Sequence, residues 1–255
     1  MTRELSKPRA WALGALILAL SAPLAAQQGP LRVFIRASEK THAVGQHDYP
    51  RFLAEWTKLM TERGAQVQGA ERFPTAEELA TTDVLIDYAA DGGNVSSQER
   101  AVLDSYLKRG GGIVVMHDGI CGDDAQWFAG IIGGAKQHGE RNWFAGHTTL
   151  KFVDRSHPIV KGQSDFEFDD EMFYRLRVAP EMHVLATAAN QTGEQVPQLW
   201  VMEKALPGGK PYRSFVSLQG HNHASFSVPE YQTLLLRGIA WAGKRPADLL
   251  LGKKK

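Results

Sequence analysis

The stretch GGGIVVMHDGICG (Gly110–Gly122) reads as a glycine-rich turn that feeds a short apolar strand and then a polar tip. The strand follows SSQERAVLDSYLKRGGG, a helix that Ser97 can cap, with Val102, Leu103, Tyr106 and Leu107 on one face and Gly110 ending it. Outward toward the N-terminus the same alternation repeats. LRVFIRA (Leu31–Ala37) and DVLIDYA (Asp83–Ala89) read as buried strands, YPRFLAEWTKLMTERG as a helix, AQVQGA as a short strand, and TAEELATT as a short helix opened by a Thr75–Glu78 capping box. Strands alternating with helices predict an α/β fold with a mostly parallel central sheet covered on both faces. In such a sheet ligands gather beyond the carboxyl ends of the strands, after Ala37, Ala89 and Met116.

The second half is richer in strands: HTTLKFV, HVLATAA, PQLWVME and YRSFVSLQ precede a closing amphipathic helix, PEYQTLLLRGIAWAG. Arg3, Lys7 and Arg9 precede AWALGALILAL and SAPLAAQQ, the charged, apolar and small-residue regions of a secretory signal, with cleavage after Ala25 or Ala26. The expected organisation is therefore a signal peptide at 1–26, one domain at 27–246 and a basic tail at 247–255. The protein is expected to be exported, periplasmic or extracellular, with no stable membrane span once the signal is removed. A single cysteine cannot form a disulfide within the chain, so packing alone must hold the domain. A net charge of +1 from 29 basic and 28 acidic residues gives no field for a polyanion, so nucleic acid is not an expected partner.

Nine histidines are present, and several fall at strand ends: His42 and His47 after the first strand, His117 after the fourth, and His221 and His223 after SFVSLQ. Imidazole is both a general acid or base near neutral pH and the commonest metal ligand, so the cluster leaves two chemistries open. His138 and His147 lie in a loop-rich middle and can line a cleft, as can Asp118, whereas His157 and His183 read as structural. FEFDDEMFYRL reads as an acidic loop before a strand and offers Asp169, Asp170 and Glu171 as a base, a histidine-orienting carboxylate or a metal ligand. Cys121 stands four residues past the strand end, behind His117, which holds the position that a nucleophile elbow would use. Trp143 and Phe144 lie in the same loop-rich middle, where their rings can line a cleft or belong to the core.

Taken together, ASEKTHAVGQHDYPRF, LDSYLKRGGGIVVMHDG, DRSHPIVKG, DDEMFYRL and SLQGHNHASFSVPEYQTLLLRGIAWAG resemble the ThuA-like, or trehalose-utilisation, family, over about Leu31 to Gly243. The resemblance implies a flavodoxin-like three-layer sandwich related to class I glutamine amidotransferases, and processing of sugars or keto-sugar intermediates. It also implies that His117 replaces the amidotransferase cysteine. No glutamate follows the GHNH histidines, so glutamine hydrolysis is not expected. The expected assignment is catalytic His117, Glu171 and His221, and substrate-binding His42, His47, Asp118, Trp143, His147, Asp170 and His223. A divalent metal, zinc first, would draw on His42, His47, His117, Glu171, His221 and His223. The expected activity is that of a lyase, isomerase or hydrolase on a small-molecule sugar or glycoside. The alternatives are a metal-dependent hydrolase using the same histidines, or a non-catalytic sugar- or partner-binding module.

Overall fold

A computed structural model describes residues 29–252. The expected signal peptide and the end of the basic tail, residues 253–255, lie outside the described residues. Among the described residues no helix is long and apolar enough to cross a membrane.

The first half follows the expected alternation. It runs β1 (Arg32–Arg36), α1 (Tyr49–Glu62), β2 (Gln66–Ala70), α2 (Ala76–Ala80), β3 (Val84–Asp87), α3 (Ser97–Lys108) and β4 (Gly112–Met116). Helices α2 and α3 start where side chains satisfy free backbone N–H groups, whereas α1 starts without a side-chain cap and with a proline in its first turn. Thr75 and Glu78 form the expected capping box on α2, and Ser96, one residue before the expected Ser97, forms another with Glu99 on α3. The triple glycine has a steric cause: a Cβ on Gly112 would lie 2.2 Å from the Ala242 carbonyl oxygen, and one on Gly111 would lie 2.4 Å from the Tyr106 ring. Gly110 itself turns with φ +92°.

After β4 come β5 (Cys121–Gly122), α4 (Ala125–Ile132), β6 (Gly134–Gln137), β7 (Trp143–Phe152), β8 (Phe166–Phe173), β9 (Arg177–Val178), β10 (His183–Ala189), β11 (Gln195–Ala205), β12 (Pro211–Ser217) and α5 (Pro229–Ala242). Nine strands form one sheet in the order β2-β1-β3-β4-β12-β11-β10-β7-β8. The expectation of a mostly parallel sheet is corrected here. Pairing is parallel from β2 to β12, where crossover helices intervene, and antiparallel from β12 to β8, where the strands follow one another through turns. The sheet is therefore mixed, and the α/β class holds.

The strands bury both faces. On one side Val33, Ile35, Val114 and Phe215 pack against α1 and α5; on the other Phe34, Leu85, Val115 and Val216 pack against α2, α3 and α4. Ala247–Leu250 adds one short helical turn, and Leu250 is buried against the α5 side.

The segment expected to be an acidic loop is β8, the edge strand paired with β7 from Trp143↔Phe173 to Leu150↔Phe166. Its period of two is carried partly by acids: Phe168, Asp170 and Met172 point into the protein, while Glu167 and Asp169 point to solvent. A buried aspartate in the apolar register hides the strand pattern.

Candidate active site

A cleft of about 590 Å³ opens at the carboxyl edge of the parallel half of the sheet. Each element ends there for a reason already in the chain order: the loop after β1 carries His42 and His47, the end of β4 carries His117, and the loop after β12 carries His221. The first of these loops is tied to the last by backbone bonds, from His47 N–H to the His221 carbonyl (2.9 Å) and from His223 N–H to the Gly45 carbonyl (2.8 Å).

His42, His47 and His117 all hold left-handed backbone conformations, with φ of +63°, +43° and +48°. Non-glycine residues persist in that region only when their surroundings over-determine them, and such residues concentrate at functional sites. At His117 this produces a sharp turn straight off the strand tip, with the ring fully buried.

Three imidazoles meet. His47 Nε2 lies 3.0 Å from His117 Nε2 and 2.9 Å from His221 Nδ1, and Glu171 Oε2 lies 3.0 Å from the same His221 nitrogen. The outer nitrogens fix which way the protons point. His117 Nδ1 is 2.9 Å from the Leu218 carbonyl, which only accepts, so Nδ1 carries a proton and Nε2 is the nitrogen left to present a lone pair. His47 Nδ1 is 2.8 Å from the Tyr49 hydroxyl, which in turn reaches Asp118 Oδ2 at 3.4 Å. The Thr41 hydroxyl is also 3.1 Å from His47 Nδ1. With Tyr49 donating to the carboxylate, the tautomer that has His47 Nδ1–H donating to Tyr49 leaves Nε2 a bare lone pair. Burial, and then the neighbouring His117, His42 and His221, lower the His47 pKa to about 2, so that ring is neutral.

Lone pairs opposed across 3 Å favour a shared cation. His47, His117 and His221 each offer one nitrogen to a common point. Tetrahedral zinc with bonds of about 2.0–2.1 Å sets ligand nitrogens roughly 3.3 Å apart, close to the 3.0 and 2.9 Å that separate His47 Nε2 from its two neighbours. Glu171 is the adjoining carboxylate, and the Leu218 carbonyl and Tyr49 hydroxyl stand where outer partners would orient such ligands.

Of the residues expected to bind substrate, His42, His47, Asp118 and Trp143 line this cleft. Three do not. His147 lies on β7 two residues beyond Ala145, and it pairs in the open with Glu167 and Asp169. Asp170 faces away from the cleft; its carboxylate accepts the Gly220 and His221 N–H groups (both 3.0 Å), the Glu171 N–H (2.7 Å) and the Ser225 hydroxyl. It anchors the loop that presents His221. His223 points behind the site to Glu55 on α1 (2.9 Å).

Cys121 lines the cleft wall, but burial pushes its thiol well above the ordinary range, with Asp118 adding to the effect. A neutral buried thiol is a poor nucleophile. Tyr49, Lys136, His138 and Phe173 complete the surroundings. Tyr49 opens an apolar helix and carries no mark of a site in sequence, and Lys136 falls in a segment with no periodic signal. His138 is hydrogen-bonded to Asp91 (2.6 Å), which raises its pKa.

The fold has solved counterparts. A protein described as ThuA-like from Parabacteroides merdae matches with a TM-score of 0.63 at 17% identity, over 84% of this chain and 90% of that one. Another from Bacteroides uniformis matches with a TM-score of 0.64 at 18% identity, over 91% of this chain and all of that one. A β-galactosidase from Bacillus circulans shares the fold over 85% of this chain but 32% of its own, with a TM-score of 0.53 at 11% identity. No curated protein matches by sequence. The family model described as trehalose utilisation matches residues 34–242, which run from within β1 to the end of α5 and include every residue of the histidine site, and by that match the chain belongs to the ThuA family.

Proposed function

We propose that the protein is a carbohydrate-active enzyme that moves protons next to a sugar carbonyl, using a three-histidine divalent-metal centre with Glu171 beside it. One observation carries the reading: three imidazole nitrogens converge within 3.0 Å of their neighbours, and the outer partners of two of them aim lone pairs at the common point. His47, His117 and His221 would hold the ion. When bound, it supplies Lewis acidity to a carbonyl or hydroxyl oxygen.

The rest of the chemistry falls to the chain's own groups. Glu171 is nearly buried, is 3.0 Å from His221 and faces the cleft, so its carboxylate is placed to take a proton from a carbon made acidic by an adjacent carbonyl. His42, on the exposed rim, is placed to return a proton to the neighbouring oxygen or carbon. Trp143, half exposed at the mouth, offers its face to the apolar side of a sugar ring. Isomerisation or elimination of a keto-sugar fits this set of groups, and membership of the trehalose utilisation family supports a sugar substrate. The signal-like residues 1–26 support action outside the cytoplasm.

The test uses the chain from Gln27 onward, prepared without a histidine tag. Elemental analysis is expected to find about one divalent ion per chain, and chelation to abolish turnover of 3-keto-glycosides. His117→Ala and His221→Ala are expected to lose both ion and turnover. Full turnover without metal, or equal turnover in His117→Ala, would remove the centre from the mechanism.

A further inference from the structure

Lys136 is the unexplained charge in the cleft. It lies on β6 beside Cys121, keeps 7% of its surface, and lines the cavity. Its ammonium has no carboxylate within 4.0 Å and no hydrogen-bond partner among the described residues; the Phe173 ring lies beside it, 5.3 Å away at the centroid. The cleft's acids are committed elsewhere. Asp91 is bonded to His138, Glu171 lies against His221, and Asp118 is reached by the Tyr49 hydroxyl and the Asp91 N–H.

A cation removed from water without a counter-charge is costly, and other buried ammonium and guanidinium groups are normally paired. Arg36, similarly buried in this chain, shows the contrast, since it holds Asp87 at 3.0 Å and the Gly92 carbonyl at 2.7 Å. Lys136 instead opens to the cavity where substrate sits. Phe173 fixes its distance from the chemistry: the same ring stacks on His117, with centroids 5.0 Å apart and planes 15° apart. Lys136, Phe173, His47 and His221 line one cleft, and Phe173 links the ammonium to the buried His117 ring behind it.

We infer that Lys136 is a specificity-determining residue that receives a carboxylate on the substrate, so that the preferred sugar is an acidic one, a uronate or aldonate unit. This inference rests on the reading of the cleft as a sugar site. A bound carboxylate would supply the missing counter-charge, and the low water content of the wall would strengthen the pair.

The experiment is calorimetric binding of matched pairs, glucuronate against glucose and a methyl glucuronide against the methyl glucoside, to the wild-type protein, Lys136→Met and Lys136→Arg. The wild type is expected to bind the acidic member at least about tenfold more tightly. Lys136→Met is expected to lose that preference while keeping its affinity for the neutral sugar, and Lys136→Arg to retain most of it. Circular dichroism checks that each variant is folded. Equal binding of acidic and neutral sugars by the wild type overturns the inference and leaves the sugar site standing. Retention of the preference in Lys136→Met also overturns it. Loss of turnover on a neutral keto-sugar with unchanged affinity would assign Lys136 to stabilising an oxyanion instead. Failure of every sugar to bind would overturn the inference and the sugar reading together.

Discussion

Tyr49 shows how one side chain can belong to two systems at once. Its ring is fully buried in the first turn of α1, packed edge-on to Tyr88, while its hydroxyl joins His47 to Asp118. Burial, and next the Asp118 charge, raise its pKa, so it stays a neutral donor. Tyr49→Phe preserves the packing and removes only the bridge. Divalent-metal affinity, measured by competition with a chromophoric chelator, is expected to fall ten- to a hundredfold, the usual cost of losing an outer partner. The accompanying stability loss is expected to be about 1–2 kcal/mol; unchanged metal affinity would show that the bridge does not orient His47. The contrast with His42, His47, His117 and His221 is instructive, because those four could be read from the chain. Polar residues just past strand ends have few other reasons to be there. A tyrosine at an apolar helix position carries no such mark, and neither does a lysine in an aperiodic segment.

At the scale of elements, the strongest local signals were terminators and caps. Gly110 to Gly112 located β4 because the backbone there must turn left-handed and then pass against the end of α5. The cap of α3 was legible only to within one residue, since Ser96 and Ser97 are adjacent and chemically alike. The structure separates them: Ser96 accepts the Glu99 N–H and its own N–H donates to the Glu99 carboxylate. Ser96→Ala is expected to cost about 1 kcal/mol in urea unfolding, and Ser97→Ala much less; equal losses would assign the cap wrongly. β8 was not legible. Asp170 occupies an inward position because four donors from the chain satisfy its carboxylate, and those partners are up to 55 residues away in sequence. No local pattern can show that a buried acid will be paid in hydrogen bonds from a distant loop.

For the whole molecule, the parallel half was predictable from alternating strands and helices, and the antiparallel half was not, because strand-rich sequence fits several topologies. The insertion of β12 between β4 and β11 depends on apolar faces meeting across the full chain. Beneath the site, Arg36 and Asp87 join β1 to β3, with Asp87 Oδ1 buried and unbonded. Burial pushes the Asp87 carboxyl up to about 6 from its ordinary value near 3.8, although Arg36 opposes the shift. Between about pH 4 and 6 the folded protein therefore holds a proton that the unfolded chain has released, and stability falls as pH rises through that window. Asp87→Asn lacks this dependence. The stability of the wild type relative to Asp87→Asn is expected to drop by roughly 2–3 kcal/mol between pH 4 and pH 7 in urea titrations, and a pH-independent difference would contradict the assignment.

The same insertion of β12 has a consequence for the order of events during folding. His117 and the Leu218 carbonyl that orients it are 101 residues apart, and His221 follows the last strand of the sheet. Contacts of such long separation form late, after the local strand-helix units of the first half have assembled. A partly synthesised chain holds His42, His47 and His117 but no His221, and so no complete triad. The proposed ion would therefore be acquired by a nearly finished domain, with availability in the compartment where folding ends deciding which ion enters.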